Sequence, residues 1–232
     1  MEKIVILTGA GISAESGLST FRDNGGLWAG NRVEDVATPE AFARDPALVH
    51  AFYNARRAKA AMAEPNAAHL ALAQLEASHK GDMLIITQNV DNLHARAGSR
   101  NVVHMHGRLS GALCQACSHR WEAPREMYPD DTCPACHAPQ TRPDIVWFGE
   151  VPYGADVIDP ALAAADVFIA IGTSGQVYPA AAFAQHAARL GAHTIEVNLA
   201  PAANARDFAE SHTGPATQRV PELVSALLGA RL

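Results

Sequence analysis

Five short apolar runs punctuate the chain, at 3–7, 83–87, 102–104, 167–171 and 193–198. They are rich in Ile and Val and show little polar alternation, as strands buried on both faces do. Between them, apolar residues recur at helical spacing. Residues 46–62 carry such a stripe. Residues 66–78 open after Pro65 and place His69, Leu70, Leu72 and Leu75 along it, and 178–190 and 221–228 behave alike. Strands alternating with helices predict an α/β fold with a doubly wound, Rossmann-like parallel sheet. Two stretches break the rhythm. Residues 32–74 are mainly helical with no strand between, and residues 108–144 hold all four cysteines and several prolines. Both read as insertions that build a smaller lobe from a helical module and a cysteine-bearing module. The sheet domain is then discontinuous: 1–31, 75–107 and 145–232.

Composition narrows the classes. With 232 residues, 48% hydrophobic and 18% charged, the chain can bury a sizeable core, which excludes a disordered or fibrous protein. A net charge of -6 gives no overall basic footprint for nucleic acid. No apolar run reaches the roughly 18–20 residues of a membrane span. The first apolar run begins almost at once, without the charged and long apolar regions of a secretory signal, so a cytoplasmic protein is expected.

Four segments carry candidate chemistry. Thr8-Gly9-Ala10-Gly11-Ile12-Ser13 follows the first strand directly. Its glycines allow a tight strand-to-helix turn and close approach to a diphosphate, and the helix start is expected to offer free N–H groups. The acidic residue with which dehydrogenases grip a ribose is missing: the run 83–87 leads instead into Gln88-Asn89-Val90-Asp91. This argues against hydride transfer. An amide and a carboxylate at a strand's C-terminal end can hold a carboxamide or ribose hydroxyls, or simply cap a helix. Val103-His104-Met105-His106-Gly107 offers a general base near neutral pH, and spacing does not choose between the two histidines. Last, Cys114-x-x-Cys117 and Cys133-x-x-Cys136, fifteen residues apart, match a four-thiolate zinc site. Four thiolates leave no open coordination position, so the metal is expected to be structural. His119 and His137 are read as exposed loop residues.

Together these segments resemble the sirtuin family of NAD-dependent protein deacylases, in its bacterial form. The resemblance is carried by GAGISAESGLSTFR at 9–22, TQNVDNLH at 87–94, HMHG at 104–107, the four cysteines, IVWFGE at 145–150, GTS at 172–174 and VNLAP at 197–201. It implies a cleft between the lobes that binds NAD, which is consumed as a co-substrate. Gly9, Ala10, Gly11 and Ile12 would hold the diphosphate, and Phe21, Arg22 and Trp28 would belong to a loop closing over it. Gln88, Asn89, Val90 and Asp91 would line the ribose and nicotinamide pocket. Gly172, Thr173, Ser174, Asn198, Leu199, Ala200 and Ala216 would hold the adenosine side. His106 matches the family's catalytic base, with Asn89 and Asp91 beside it. The implied reaction consumes water and transfers the acyl group of a lysine to the ADP-ribose part of NAD, giving free lysine, nicotinamide and O-acyl-ADP-ribose. ADP-ribosyl transfer to protein and NAD sensing without catalysis are the alternatives.

The resemblance also implies extended acyl-lysine peptides as partners, clamped by Val146, Phe148 and Gly149 on one side and Val177 and Tyr178 on the other. Tyr53 and Arg56, three apart on one helix face, resemble the pair that reads the carboxylate of succinyl- or malonyl-lysine in the family's acidic-acyl branch. Ala37 is small, as a roomy acyl pocket requires. Arg57, next along, is expected to be a neutral control position. The sequence leaves the oligomeric state open.

Overall fold

The structure is a computed structural model that describes residues 2–20, the backbone of 27–28, and residues 31–229. The chain begins with strand β1 (Ile4–Thr8) and a single helical turn α1 (Gly11–Ala14). A two-stranded ribbon follows, β2 (Leu27–Trp28) and β3 (Asn31–Arg32). Four helices come next: α2 (Val33–Val36), α3 (Pro39–Arg44), α4 (Pro46–Met62) and α5 (Ala67–Ser78). The chain then returns to the sheet through β4 (Met83–Thr87), α6 (Leu93–Ala97) and β5 (Val102–His104). It leaves again for β6 (Gly107–Cys114), β7 (Arg120–Glu122) and β8 (Thr141–Ile145). The last stretch is α7 (Ala155–Ala163), β9 (Val167–Ile171), α8 (Phe183–Arg189), β10 (His193–Asn198), β11 (Glu210–Thr213) and α9 (Ala216–Gly229).

Six parallel strands form the main sheet in the order β11-β10-β9-β1-β4-β5. Every residue of β1, β4 and β9 is buried, as the unbroken apolar runs require. Alternate side chains serve opposite faces. Ile4, Ile6 and Ile85 meet Leu72 and Leu75 of α5 and Val220 and Val224 of α9. Val5, Leu7 and Ile86 meet Ile158 and Leu162 of α7 and Phe183 and Ala187 of α8. The order reverses at β1, whose neighbours lead outward on either side. Its C-terminal end is thus the switch point where such sheets bind ligands.

A third core belongs to the smaller lobe. There Val36, Ala41, Val49, Phe52, Tyr53, Leu109, Ile145 and Trp147 pack α2, α3 and α4 against the antiparallel sheet β7-β6-β8. One expected boundary moves. The division at residue 74 assigns most of α5 to the helical module. Its buried residues Ala68, Ala71, Leu72 and Leu75 instead join the core beneath the main sheet. The helix stripe is real, but its partner is α9.

Three further differences have local causes. β11 has the polar sequence Glu-Ser-His-Thr and pairs at the sheet edge, where one side needs no apolar cover. Helix α9 starts five residues before the expected Pro221. The Glu15 carboxylate accepts from the Thr217 backbone N–H at 3.0 Å and from its hydroxyl at 2.7 Å, which secures the extra turn. The expected helix over 178–190 is a 3₁₀ turn at Ala180–Ala182 followed by the shorter α8.

Candidate active site

A cavity of about 1070 Å³ opens between the lobes at the C-terminal ends of β1, β4 and β9. Its floor is backbone. Gly9 and Gly11 follow β1, and Gly172 follows β9. A Cβ on Gly9 would stand 2.7 Å from the Gly172 carbonyl oxygen, and one on Gly172 only 2.4 Å from the Ile12 nitrogen. Gly172 also has φ +63°, where a side chain is strained. The glycines therefore let two loops interlock. This corrects the expectation of free N–H groups. The amides of Gly9, Gly11 and Ile12 donate to Ile171, Gly172 and Gly9 carbonyls, respectively. With only one turn in α1, little helix dipole is available either.

Most of the expected cofactor residues meet at this cavity: Gly9, Ala10, Gly11, Gln88, Asn89, Val90, Asp91, Gly172, Thr173, Ser174, Asn198, Leu199 and Ala216. Two do not line it. Ile12 is fully buried in the core beneath the sheet, because the turn of α1 aims it inward. Ala200 lies exposed beyond β10, where the chain turns away. Phe21, Arg22 and the side chain of Trp28 lie outside the described residues. Asn198 donates its side-chain amide to the Thr173 carbonyl at 2.7 Å, tying the β10 loop to the β9 loop.

After β4, Asn89 donates its amide to the Gly9 carbonyl (3.0 Å) and the Ser13 hydroxyl (3.2 Å). Ser13 donates in turn to Asp91 at 3.1 Å, and the Leu93 backbone N–H donates to the other Asp91 oxygen at 3.0 Å. Burial raises the Asp91 carboxyl above the usual range, opposed by these hydrogen bonds and by the Arg56 charge. Ser13 also contacts His69, whose ring lies 5.0 Å from that of His94. Burial pushes His69 down to about 4 and His94 to about 3, so both rings are neutral at pH 7. Ser13 and His69 support the site, and no local sequence pattern marks His69 for that role. Ser13 does sit inside the glycine motif.

Of the two candidate bases, His106 lines the cavity and His104 does not. The Nδ1 of His106 lies 3.1 Å from the Gln88 carbonyl oxygen. A carbonyl only accepts, so neutral His106 carries its proton on Nδ1 and leaves the Nε2 lone pair basic. Burial lowers its pKa from 6.5, which favours that neutral form.

Side chains from the smaller lobe close the far wall. Tyr53 and Arg56 both line the cavity, with Ala37 beside them. Tyr53 is fully buried and accepts a hydrogen bond from the Trp147 indole N–H at 3.0 Å. Burial pushes its hydroxyl pKa well upward, so it stays protonated. Arg56 lies with its guanidinium carbon 5.7 Å from the Phe52 ring centroid. Burial lowers its pKa to about 10, which still leaves a cation at neutral pH. Val146, Phe148, Gly149, Val177 and Tyr178 edge the mouth of the cavity, and Phe148 and Tyr178 are exposed there.

Arg57 overturns the expectation of a neutral position. It is buried, and it donates to the Leu109 carbonyl (2.7 Å), the Asn54 side chain (2.8 Å) and the Arg125 carbonyl (3.4 Å). One helix thus turns Arg56 to the cavity and Arg57 to the cysteine module.

In that module the four Sγ atoms lie within 4.8 Å of one another, with Cys114–Cys136 at 3.7 Å and Cys117–Cys133 at 3.8 Å. A tetrahedron with Zn–S bonds of about 2.3 Å has S···S edges of about 3.8 Å, so the thiols fit zinc. Each knuckle ends on a left-handed residue, Ser118 at φ 59° and His137 at φ 62°, which brings its two thiols to one point. His119 and His137 are exposed and stand outside the cluster. Among the described residues, no helix is long and apolar enough to cross a membrane.

Comparison with known proteins agrees with this architecture. The Sir2 family profile matches residues 9–179. The NAD-dependent protein deacylase of Salmonella typhimurium is 55% identical, over 97% of this chain and 84% of its own. That of Caulobacter vibrioides is 54% identical, over 99% of this chain and 98% of its own. A solved Sir2 homologue in complex with NAD shares 41% identity and superposes with a TM-score of 0.89, over 98% of this chain and 90% of its own. With the family profile spanning most of its length and relatives above half identity matching nearly all of it, the chain belongs to the Sir2 family.

Proposed function

We propose that this chain is an NAD-dependent protein-lysine deacylase that takes acidic acyl groups, succinyl and malonyl, as well as acetyl. NAD-dependent deacylation is the activity named for its relatives. The observation that carries the finer reading is one continuous cavity with two kinds of lining. Glycine loops, Asn89, Asp91 and His106 supply one, and Tyr53, Arg56 and Ala37 the other, with the Arg56 charge near enough to act on Asp91. A dinucleotide fits the first, where close-packed backbone and polar side chains line the space. An acyl chain carrying a carboxylate fits the second. There a cation and a phenol stand together in partly desolvated surroundings.

When bound, NAD would supply a nicotinamide–ribose bond whose cleavage opens the ribose to the acyl oxygen, the overall reaction consuming water and giving free lysine, nicotinamide and O-acyl-ADP-ribose. In this reading Asn89 and Asp91 orient the nicotinamide and ribose, with Asp91 fixed by Ser13 and Leu93. His106 takes a proton from a ribose hydroxyl at Nε2, while its Nδ1–H stays on the Gln88 carbonyl. The extended peptide lies between Val146–Gly149 and Val177–Tyr178, adding main-chain hydrogen bonds with loose sequence preference. The cysteine module keeps the smaller lobe folded and stays out of the chemistry. A cytoplasmic setting suits four thiols kept for a metal.

The test is kcat/KM on one peptide carrying acetyl-, malonyl- or succinyl-lysine. Truncating one member of a buried charge pair costs about 2–5 kcal/mol, or roughly 30- to 4,000-fold. Arg56→Met is therefore expected to lower the succinyl-to-acetyl ratio by at least about 30-fold. Tyr53→Phe, which removes one neutral hydrogen bond, should act the same way but less. A parallel fall on all peptides would mean that Arg56 serves the fold.

A further inference from the structure

One buried carboxylate takes no part in the chemistry above. Glu196 lies in β10, only 3% exposed, with Ala170 of β9 and Ser211 of β11 as its register partners. A charge in such a place has to be met by donors. One oxygen accepts from the Ser211 hydroxyl at 3.0 Å. The other accepts the Ala202 backbone N–H at 2.8 Å and lies 3.5 Å from the Asn198 amide nitrogen. Glu196 thus fastens both ends of the loop 198–202, whose first two residues line the cavity.

These contacts decide what Asn198 can offer a ligand. Its amide nitrogen donates to the Thr173 carbonyl at 2.7 Å and has the Glu196 oxygen as its second acceptor. Both partners only accept, which fixes the nitrogen on their side and engages both of its hydrogens. The amide oxygen, Oδ1, accepts the Leu199 backbone N–H at 3.1 Å and keeps a second lone pair. The hydrogen-bonding capacity left to this cavity-lining side chain is therefore that of an acceptor. Dehydrogenases meet a ribose hydroxyl with a carboxylate at the end of the second strand, and this chain has Gln88-Asn89 after β4 instead. Asn198 can supply the missing acceptor from another strand of the same sheet.

We propose that Glu196 is a positioning residue that holds the Asn198 amide with its acceptor toward the adenosine ribose and so selects NAD over NADP. The inference rests on the reading that places the adenosine half of NAD beside Asn198. A ribose hydroxyl donates to Oδ1. The 2′-phosphate of NADP has only acceptors at neutral pH, and it would meet a lone pair with the Glu196 carboxylate behind it.

The experiment measures Kd for NAD and for NADP by calorimetry, with melting temperatures alongside. The variants are Glu196→Met, Glu196→Gln, Ser211→Ala, Asn198→Ala and the double variant Glu196→Met/Asn198→Ala. Methionine keeps the length of the side chain and removes both acceptors, which leaves the amide free to turn over. Glu196→Met is expected to raise the Kd for NAD about three- to ten-fold, the scale of one neutral hydrogen bond, without a matching loss for NADP. Glutamine keeps an acceptor for Ala202 and Asn198 and can donate to Ser211, so Glu196→Gln should keep the wild-type preference. Ser211→Ala cuts the same carboxylate loose from β11 and should lower the melting temperature without moving either Kd. The double variant should match Asn198→Ala, because Glu196 acts through that amide. An unchanged NAD-to-NADP preference in Glu196→Met, a parallel weakening of both nucleotides, or an equal effect from Ser211→Ala would overturn the proposal. If Glu196→Met does not fold, Glu196→Asp withdraws the carboxylate by one methylene, and the same preference decides. Should Asn198→Ala leave NAD binding unchanged, the placing of the adenosine half itself fails. Weaker NAD binding in Asn198→Ala without any in Glu196→Met sinks only the positioning role.

Discussion

The two walls of the cavity are built by opposite means. On the sheet side the floor is main chain, where Gly9, Gly11 and Gly172 interlock with no room for a Cβ, and the side chains of Asn89, Asp91 and His106 rise beside it. On the facing side it is side chain, where Tyr53 is held from behind by Trp147, Arg142 and Glu150, and Arg56 lies against the Phe52 ring. A main-chain wall presents the same shape whatever residues lie around it, which suits a ligand that never varies. A side-chain wall can be changed one residue at a time, which suits a ligand that differs between substrates. On the proposed reading, general chemistry belongs to the first wall and selectivity to the second.

Four perturbations would break or sharpen that contrast. Removing the metal acts on the whole side-chain wall, since binding energy at a structural zinc site is also folding energy, roughly 10–16 kcal/mol in small zinc domains. Cys114→Ser should lose the one zinc per chain, melt at lower temperature and lose deacylation. Full activity with unchanged melting after complete chelation would contradict this. His106→Tyr should lower deacylation of every acyl peptide by at least ~100-fold while NAD still binds. If His104→Ala inactivated the protein and His106→Ala did not, the base would be misassigned. Gly172→Val attacks the main-chain wall. Its φ of +63° alone costs about 1–3 kcal/mol in a side-chain-bearing residue, before the clash with Ile12. A lower melting temperature and about tenfold weaker NAD binding by calorimetry are expected. Arg57→Met should cost about 1–3 kcal/mol, since it strips a buried carbonyl of its donor. Acetyl and succinyl activities should then fall together, unlike in the Arg56 variant.

Much of the main-chain wall could be read from sequence, because glycine motifs and apolar runs are local signals. All five expected strands are present, β1 shifted by one residue. What the glycines do was not legible: the clash they avoid is with a loop more than 160 residues away. The side-chain wall was only partly readable. Spacing on α4 puts Tyr53 and Arg56 on one face, but the same rule says nothing about Arg57, whose partners are on β6 and beyond. From sequence alone Trp147 reads as an ordinary core aromatic beside a glycine turn. Its bond to Tyr53 crosses from one module to another, and no local pattern encodes it. Spacing does not choose between His104 and His106; the resemblance picks His106, and the sheet places it, and not His104, at the cavity.

The strand order has a consequence for how the chain is made. β1 lies in the middle of the main sheet, yet it leaves the ribosome before every other strand of that sheet. Its partners are 79 residues away in β4 and 163 residues away in β9. Until Val167–Ile171 has been synthesised, one edge of β1 stays open, with its backbone donors and acceptors unpaired. Such long-range pairings are slow to form and leave nascent chains prone to sticking together. The centre of the sheet therefore completes only after β9 has been made, and the switch point at Gly9 and Gly172 takes shape no earlier.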